Sequence, residues 1–497
     1  MSLNFLIVKN KIGVIGSGIG GLAAAIRLSC KGYQVEVFEK NGYIGGKIGE
    51  FTRQGFRFDM GPSLFTMPRL IDELFILAGK KPEENFRYLP LHSSCKYFYA
   101  DGKILTAYTN GEAFATEISE KTGVAGSTLS KYLNKSKQLY KLTQDVFIFN
   151  SLHKFGNYFS PTYLKAYPGF ARLDAFITMH NRNRQVFKDT HVTQLFDRYA
   201  TYVGSDPYRA PATLNMISHL EHNTGAFFPE KGMYSIVQSL HQLAQELGVV
   251  FHMNTEVEKV TEIKKDIKEI QSSNGISGYN YIISNSDVYF SNRRLFGNQI
   301  KTRDINRSGL SSSALIFYWG INRQFKEMGL HNVLFSSDYE GEFNAIFREF
   351  RIFNDPTVYI FISSKIVAGD APEGMENWFV MINVPTGDPG EKKDIIHQAR
   401  INIIAKINTM LATDIEKHII FEEKLSPDEI EKRTYSYRGA LYGINSNSRF
   451  AAFNRHPNFS RKMKGLYFAG GSVHPGGGIP MCLASASIVS DEFKPVR

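Results

Sequence analysis

The sequence is poor in cysteine, with three in 497 residues: Cys30, Cys95 and Cys482, far apart and without a CxxC spacing. That pattern excludes a cysteine zinc site and a disulfide framework, so no metal is expected and a reducing cytoplasm fits. Tryptophan is scarcer still, with 2 against 38 Phe and 25 Tyr. No stretch approaches the roughly 18–20 consecutive apolar residues of a membrane-crossing helix. The first ten residues hold one short apolar run, Phe5 to Val8, with no cleavage-like site, and do not read as a signal peptide. Internal repeats and low-complexity tracts are missing, as are arginine-rich segments and nucleic-acid motifs. No Ser/His/Asp arrangement announces nucleophilic catalysis.

What is present is a large apolar fraction, 43%, and a net charge of +10. A basic excess favours anionic partners. With no nucleic-acid signature, the expected partner is the acidic face of a bilayer, on which the protein lies peripherally. The aromatic and basic stretch Phe147 to Phe170 is the candidate membrane face. There Phe147, Phe149, Phe155, Tyr158 and Phe159 are expected to dip into lipid, with Lys154 and Lys165 at headgroups.

The opening residues spell a strand–turn–helix–strand unit. Ile12–Ile15 reads as a buried strand, followed by a GSGIGG turn and a helix that Gly32 closes; Gln34–Glu39 is the second strand. The turn Gly16-Ser17-Gly18-Ile19-Gly20-Gly21 carries GxGxxG at Gly16, Gly18 and Gly21, and Glu39 ends the next strand. Together these make a dinucleotide fingerprint. Its glycines permit a tight turn and close approach of backbone to a pyrophosphate, and the helix start offers free N–H groups to the phosphates. Glu39 is placed to accept from a ribose diol. The fingerprint alone fits FAD and NAD equally.

Further on, Glu112–Arg209 is mainly helical in pattern, and Val249–Val288 returns to short strands. Ser313–Val384 alternates in strand fashion, with Gly/Pro/acid-rich loops at 369–374 and 385–394. From Gly465 come a strand, a glycine-rich turn and a helix expected over Met481–Glu492. The pattern predicts an α/β protein whose nucleotide-binding domain is assembled from the start, middle and end of the chain.

Two blocks carry a family resemblance. EKNGYIGGK (Glu39–Lys47) followed by FDMGPS (Phe58–Ser63) is similar to the phytoene-desaturase family of flavoproteins, kin of the amine oxidases. The C-terminal Leu466–Gly470, Gly471 and His-Pro-Gly-x-Gly-x-Pro at His474–Pro480 resemble the carotenoid desaturases' flavin motif. Weaker likenesses lie at Phe228–Tyr234, Ile283–Asp287 and Gly439–Gly443. Lys47 stands where the family more often has arginine, which keeps the charge and loses a bidentate fork.

The resemblance implies FAD, and cofactor contacts at Gly16, Ser17, Gly18, Ile19, Gly20, Gly21, Glu39, Lys40, Gly45, Gly46, Lys47, Gly61, Pro62, Ser63, Val257, Asn285, Gly470, Gly471, Gly478, Ile479 and Pro480. It implies a Rossmann-like FAD domain from residues 1–100, 226–300 and 441–497, a helical, membrane-associated region at 101–225 and a substrate domain at 301–440. His474 invites a catalytic, proton-transfer reading; a loop-positioning role is the alternative. The implied reaction is desaturation of a carotenoid, with hydride passing to the flavin, a proton lost, and oxygen or quinone as terminal acceptor. Within that family the chain looks most like 1′-hydroxy-carotenoid 3′,4′-desaturases. Phytoene or diapophytoene desaturases and carotenoid oxidases share the motifs. Amine or protoporphyrinogen oxidases, and prenyl-chain carriers of the Rab GDP-dissociation-inhibitor type, are the rival classes.

Overall fold

The computed structural model describes residues 10–496 apart from 265–266, 301, 303–308 and 388–392. Phe5–Val8 and the middle of the 385–394 loop lie outside the described residues. The apolar run Lys11–Ile15, buried from Ile12 onward, forms the centre of a five-stranded sheet. It pairs in parallel with Gln34–Phe38 on one side and Tyr281–Ser284 on the other. Val250–His252 and Leu466–Phe468 complete the two edges, also in parallel. Parallel strands need crossover connections, and those connections bury both sheet faces. The chain therefore enters this sheet three times, from its start, its middle and its end. Each entry leaves a loop at the same, C-terminal edge of the strands, where ligands of such sheets collect.

Helix Ile19–Cys30 follows the first strand and is buried from Ile19 through Leu28. Its small residues, Gly20, Gly21, Ala23, Ala24 and Ala25, let it pack closely against helices Tyr234–Glu246 and Ile479–Ser490. The last helix starts at Ile479, two residues before the expected Met481, and ends at Ser490. Pro480 sits in its first turn, where a missing N–H leaves no helical bond unmade.

A second sheet of seven strands stands against the first. Its order is Ile419–Leu425, Ser313–Ile321, Glu376–Val384, Val358–Phe361, His331–Leu334, Ser93–Phe98 and Ile104–Tyr108. The alternation expected here is not what the structure shows: Ser313–Ile321 is buried at every position. Ala314, Ile316 and Tyr318 enter the core shared with the nucleotide-binding sheet. Leu315, Phe317, Trp319 and Ile321 face the other way and meet Ile403 and Ile407 of helix Lys393–Leu411. A covering helix turns a two-faced strand into a wholly apolar one. The expected helical stretch contains Gly111–Thr122, Gly126–Thr143, Met179–Phe187 and Thr190–Asp197, with a core of its own. Among the described residues, no helix is long and apolar enough to cross a membrane.

Candidate functional site

The two glycine-rich turns, more than four hundred residues apart in sequence, meet. A Cβ placed on Gly20 would lie 3.1 Å from Cα of Gly470 and 2.9 Å from Nδ2 of Asn285. Asn285, at the end of the Tyr281–Ser284 strand, ties them by donating from Nδ2 to the Ala469 carbonyl at 2.6 Å. A Cβ on Gly18 would fall 2.6 Å from Oδ1 of Asn285, and one on Gly21 only 2.2 Å from the Gly16 carbonyl oxygen. Side chains are sterically shut out at these glycine positions, so their backbone can approach the space beyond. Gly45 pairs with Gly18 and donates its N–H to the Ser17 carbonyl at 3.1 Å, bringing the Gly45-Gly46 loop onto the same turn.

All the cofactor and catalytic candidates from the sequence except Ser17, Gly21, Gly470 and His474 line one cavity of about 770 Å³. Ser17 stands behind that lining and organises it. Its N–H and Oγ donate to Oε2 of Glu39 at 3.0 and 2.7 Å, while Asn41 donates from N and Nδ2 to Oε1 at 2.9 and 2.8 Å. Glu39 is thus a buried carboxylate fixed before any ligand arrives. Gly21 and Gly470 make room for the packing just described. Lys40 is drawn to protein groups, donating to the Lys432 carbonyl at 2.7 Å with its ammonium 3.1 Å from the Tyr435 ring centroid.

Lys47 lines the cavity, with its ammonium held by protein carbonyls. Its Nζ donates to the Ala440 and Leu441 carbonyls at 3.1 and 2.7 Å, so the ammonium fastens the Gly439–Gly443 turn against the Gly45-Gly46 loop. Burial pushes its pKa below the usual lysine value, opposed by the Asp287 carboxylate. The lysine is a strut between two parts of the site.

The catalytic reading of His474 is corrected. The ring does not line the cavity; its Nε2–H donates to the Asn150 carbonyl at 2.9 Å and its edge meets His153 at 5.7 Å between centroids. Burial holds its pKa down to about 3. A neutral, fully enclosed imidazole tied to a carbonyl joins the closing turn to the helical region and is not placed to move a substrate proton. The next residues, Pro475 to Pro480, do reach the cavity.

Other lining residues left no trace in the sequence. Arg455 is half-buried beside the closing turn, its Nη2 donating to Ser446 Oγ at 2.8 Å, and desolvation of the guanidinium lowers its pKa to about 10. Beyond the glycine turns the wall becomes apolar: Ile148, Leu214, Ile316, Phe379 and Met381 come from helices and strands distant in sequence. At another part of the wall, Phe147, Phe170 and Phe453 lead to exposed aromatic residues: Phe176 is 88% and Phe450 55% exposed, with Arg449 5.1 and 5.0 Å from their ring centroids. Phe155 and Phe159 are exposed as expected, at 77% and 65%. Tyr158 and Phe147 instead pack inward, around Val146, Leu152 and Tyr163. Lys154 is engaged in an ion pair with Glu492.

A glycine cradle closed by both ends of the chain, a fixed buried carboxylate beside it and a largely apolar chamber beyond are the features of a nucleotide-cofactor oxidoreductase. Residues 19–492 match the flavin-containing amine oxidoreductases, and the chain belongs to that family, with FAD as its cofactor. It is 47% identical over 479 residues to 1-hydroxycarotenoid 3,4-desaturase of Flavobacterium sp. (strain P99-3), covering 96% of this chain and 98% of that protein. It is 30% identical to 4,4'-diapolycopene oxygenase of Methylomonas sp, over 98% of each. Cyclohexylamine oxidase from Brevibacterium oxydans IH-35A shares the fold, with a TM-score of 0.59 and 13% identity over 97% of this chain and 99% of that one.

Proposed function

We propose that this protein is an FAD-dependent carotenoid desaturase that introduces a 3,4 double bond into an acyclic or monocyclic carotenoid carrying a hydroxyl at C1. The observation that supports this most is a single cavity running from the glycine cradle into a chamber walled by Ile148, Leu214, Ile316, Phe379 and Met381. A rod-like polyene needs such a wall, which offers it apolar contact and no competing hydrogen bonds. The named relative at 47% identity points to the same substrate class.

FAD fits the residues present. The backbone of the glycine turn at Gly16–Gly21 and the Ile479 helix start would hold its phosphates, and Glu39 its ribose. Both Glu39 oxygens are already engaged, so a ribose hydroxyl would exchange with one of the Ser17 or Asn41 side-chain bonds. Bound there, the flavin supplies a two-electron acceptor. The chain's own part is to align the polyene, exclude water and present aromatic faces such as Phe379 to the cationic character that develops along it. No histidine in reach of the cavity is called upon for this; His474 is a positioning residue.

Cells accumulating a 1-hydroxy acyclic carotenoid are expected to make a red-shifted pigment, two hydrogens lighter, when they express this chain. Gain of oxygen instead would support the oxygenase reading that the Methylomonas relative suggests. An unchanged pigment with every acyclic and monocyclic carotenoid supplied would sink the proposal.

Substrate of this kind resides in lipid, and the exposed aromatics beside Phe453 offer a route from it. We infer that Phe155, Phe159, Phe176 and Phe450 rest in the headgroup region, with Lys165 and Arg449 toward phosphates. Each buried phenylalanine contributes about 1.5–3 kcal/mol. Phe155→Asp with Phe176→Asp should therefore lower binding to anionic liposomes by more than tenfold in a flotation assay, and unaltered flotation counts against this face.

A further inference from the structure

One stretch of the cavity wall is polar although buried. Arg198, Tyr202, Tyr339, Glu342 and Tyr359 all line the cavity there. Nearly every polar atom in this stretch already has a partner. Arg198 donates from Nη2 to the Tyr97 and Tyr202 hydroxyls at 2.8 and 3.0 Å, and Tyr202 donates onward to Glu221 at 2.5 Å. Tyr359 shares a hydrogen with Ser63 Oγ at 2.6 Å and with Nδ1 of His331 at 2.7 Å. Glu342 accepts from the Thr357 N–H and Oγ at 2.9 and 2.6 Å.

Tyr339 is the exception. The residue is 7% exposed and its hydroxyl has no hydrogen-bond partner; Nε of Arg198 is likewise unmatched. A buried hydroxyl left alone costs about 1–3 kcal/mol, so its place in the wall calls for a ligand atom. The ring is held edge-on between Phe335 and Phe343, at 5.4 and 5.0 Å, which fixes where the hydroxyl points. This is a pre-set, unpartnered polar point in a stretch of wall whose other hydroxyls and carboxylates are already matched.

We propose that Tyr339 receives the terminal hydroxyl of the substrate, with Arg198 beside it, and so selects hydroxylated over hydrocarbon polyenes. The inference rests on the desaturase reading above. A polyene hydrocarbon has nothing along its length to set its register in an apolar tube. A C1 hydroxyl supplies that mark, on a carbon two bonds from the first carbon to be oxidised. Hydrogen-bonding it would fix one register of the polyene along the tube, so that the same carbons are presented at each turnover. A hydrocarbon of the same skeleton would leave Tyr339 unmatched, and sites of this construction reject the analogue lacking the polar group more strongly than apolar pockets reject an extra one.

The test uses flavin-loaded wild-type protein and Tyr339→Phe, which keeps the ring and removes the unpartnered oxygen. Each is given, in liposomes, a 1-hydroxy acyclic carotenoid and the same carotenoid without the hydroxyl. Turnover is measured, and binding of both carotenoids is followed separately by their absorption shift. The wild type should prefer the hydroxylated carotenoid, and the substitution should reduce the ratio of kcat/KM values, and of affinities, about tenfold, the size of one hydrogen bond. An unchanged ratio would mean that Tyr339 meets only solvent, and an equal fall for both carotenoids would mean a structural role; either overturns the subsite. Failure of the wild type to turn over either carotenoid overturns the desaturase reading instead, and the affinity ratio then decides the subsite by itself.

Discussion

Gly21→Val is expected to yield a folded protein that purifies nearly colourless. The added side chain begins 2.2 Å from the Gly16 carbonyl oxygen, and Asn285 stands 3.1 Å away on its other flank. Neither can yield cheaply. The Gly16 carbonyl belongs to the turn itself, and Asn285 is held to Ala469, which joins the opening turn to the closing one. The helix must therefore move off the strand and widen the cradle. Overpacking of this kind costs about 1–3 kcal/mol. If that strain is relieved in the flavin-free form, FAD affinity falls roughly ten- to a hundredfold. The flavin absorbance of the purified protein against its total protein measures this directly, with circular dichroism to show that the fold persists. A Gly21→Val protein as yellow as the wild type would mean that the turn does not hold the cofactor.

The opening unit was legible because local rules govern it: an apolar strand, a turn that only glycine can make and a helix of small residues lie within thirty positions. The closing turn was legible for the same reason, although its helix begins at Ile479, two residues before the expected Met481, with Pro480 in the first turn. Ser313–Ile321 is legible as a strand, but nothing local to it shows that Ile403 and Ile407 cover its outer side. The same limit hid the wall of the chamber. Tyr339, Arg198 and Arg455 become neighbours of the site only through tertiary packing, and each sits in a stretch with no pattern of its own. His474 misled in the opposite way: a histidine inside a cofactor motif suggests chemistry, while the fold spends it on the Asn150 carbonyl. Lys47, too, has the charge expected for a phosphate contact and uses it to bind two loops together.

The second large effect concerns a residue whose motif was read for its neighbours. Asp59, in FDMGPS, is buried at the end of strand Phe56–Asp59, and its carboxylate caps a helix far along the chain. Oδ2 accepts from the Met233 N–H and Oδ1 from the Tyr234 N–H, both at 2.9 Å, at the start of helix Tyr234–Glu246. Oδ1 also accepts from Nη2 of Arg57 at 2.9 Å. No side chain of the helix's own supplies that cap. The neighbouring Gly232, at φ 83°, is needed because a Cβ there would lie 2.6 Å from Nη1 of Arg57. Asp59→Ala removes three charge-assisted bonds together and leaves two helix N–H groups buried without an acceptor. A loss of about 3–5 kcal/mol is expected, as for breaking other buried pairs. Arg57 retains Glu50 and Asp370, which keeps the loss from being larger. Asp59→Asn retains one acceptor and the shape, so it should lose markedly less. Because Met60, Gly61, Pro62 and Ser63 follow directly and line the cavity, Asp59→Ala should also release flavin at a temperature where the wild type retains it. Thermal unfolding followed by intrinsic and flavin fluorescence tests both effects. Equal melting temperatures for Asp59→Ala and the wild type would show that this carboxylate is not what holds the helix start.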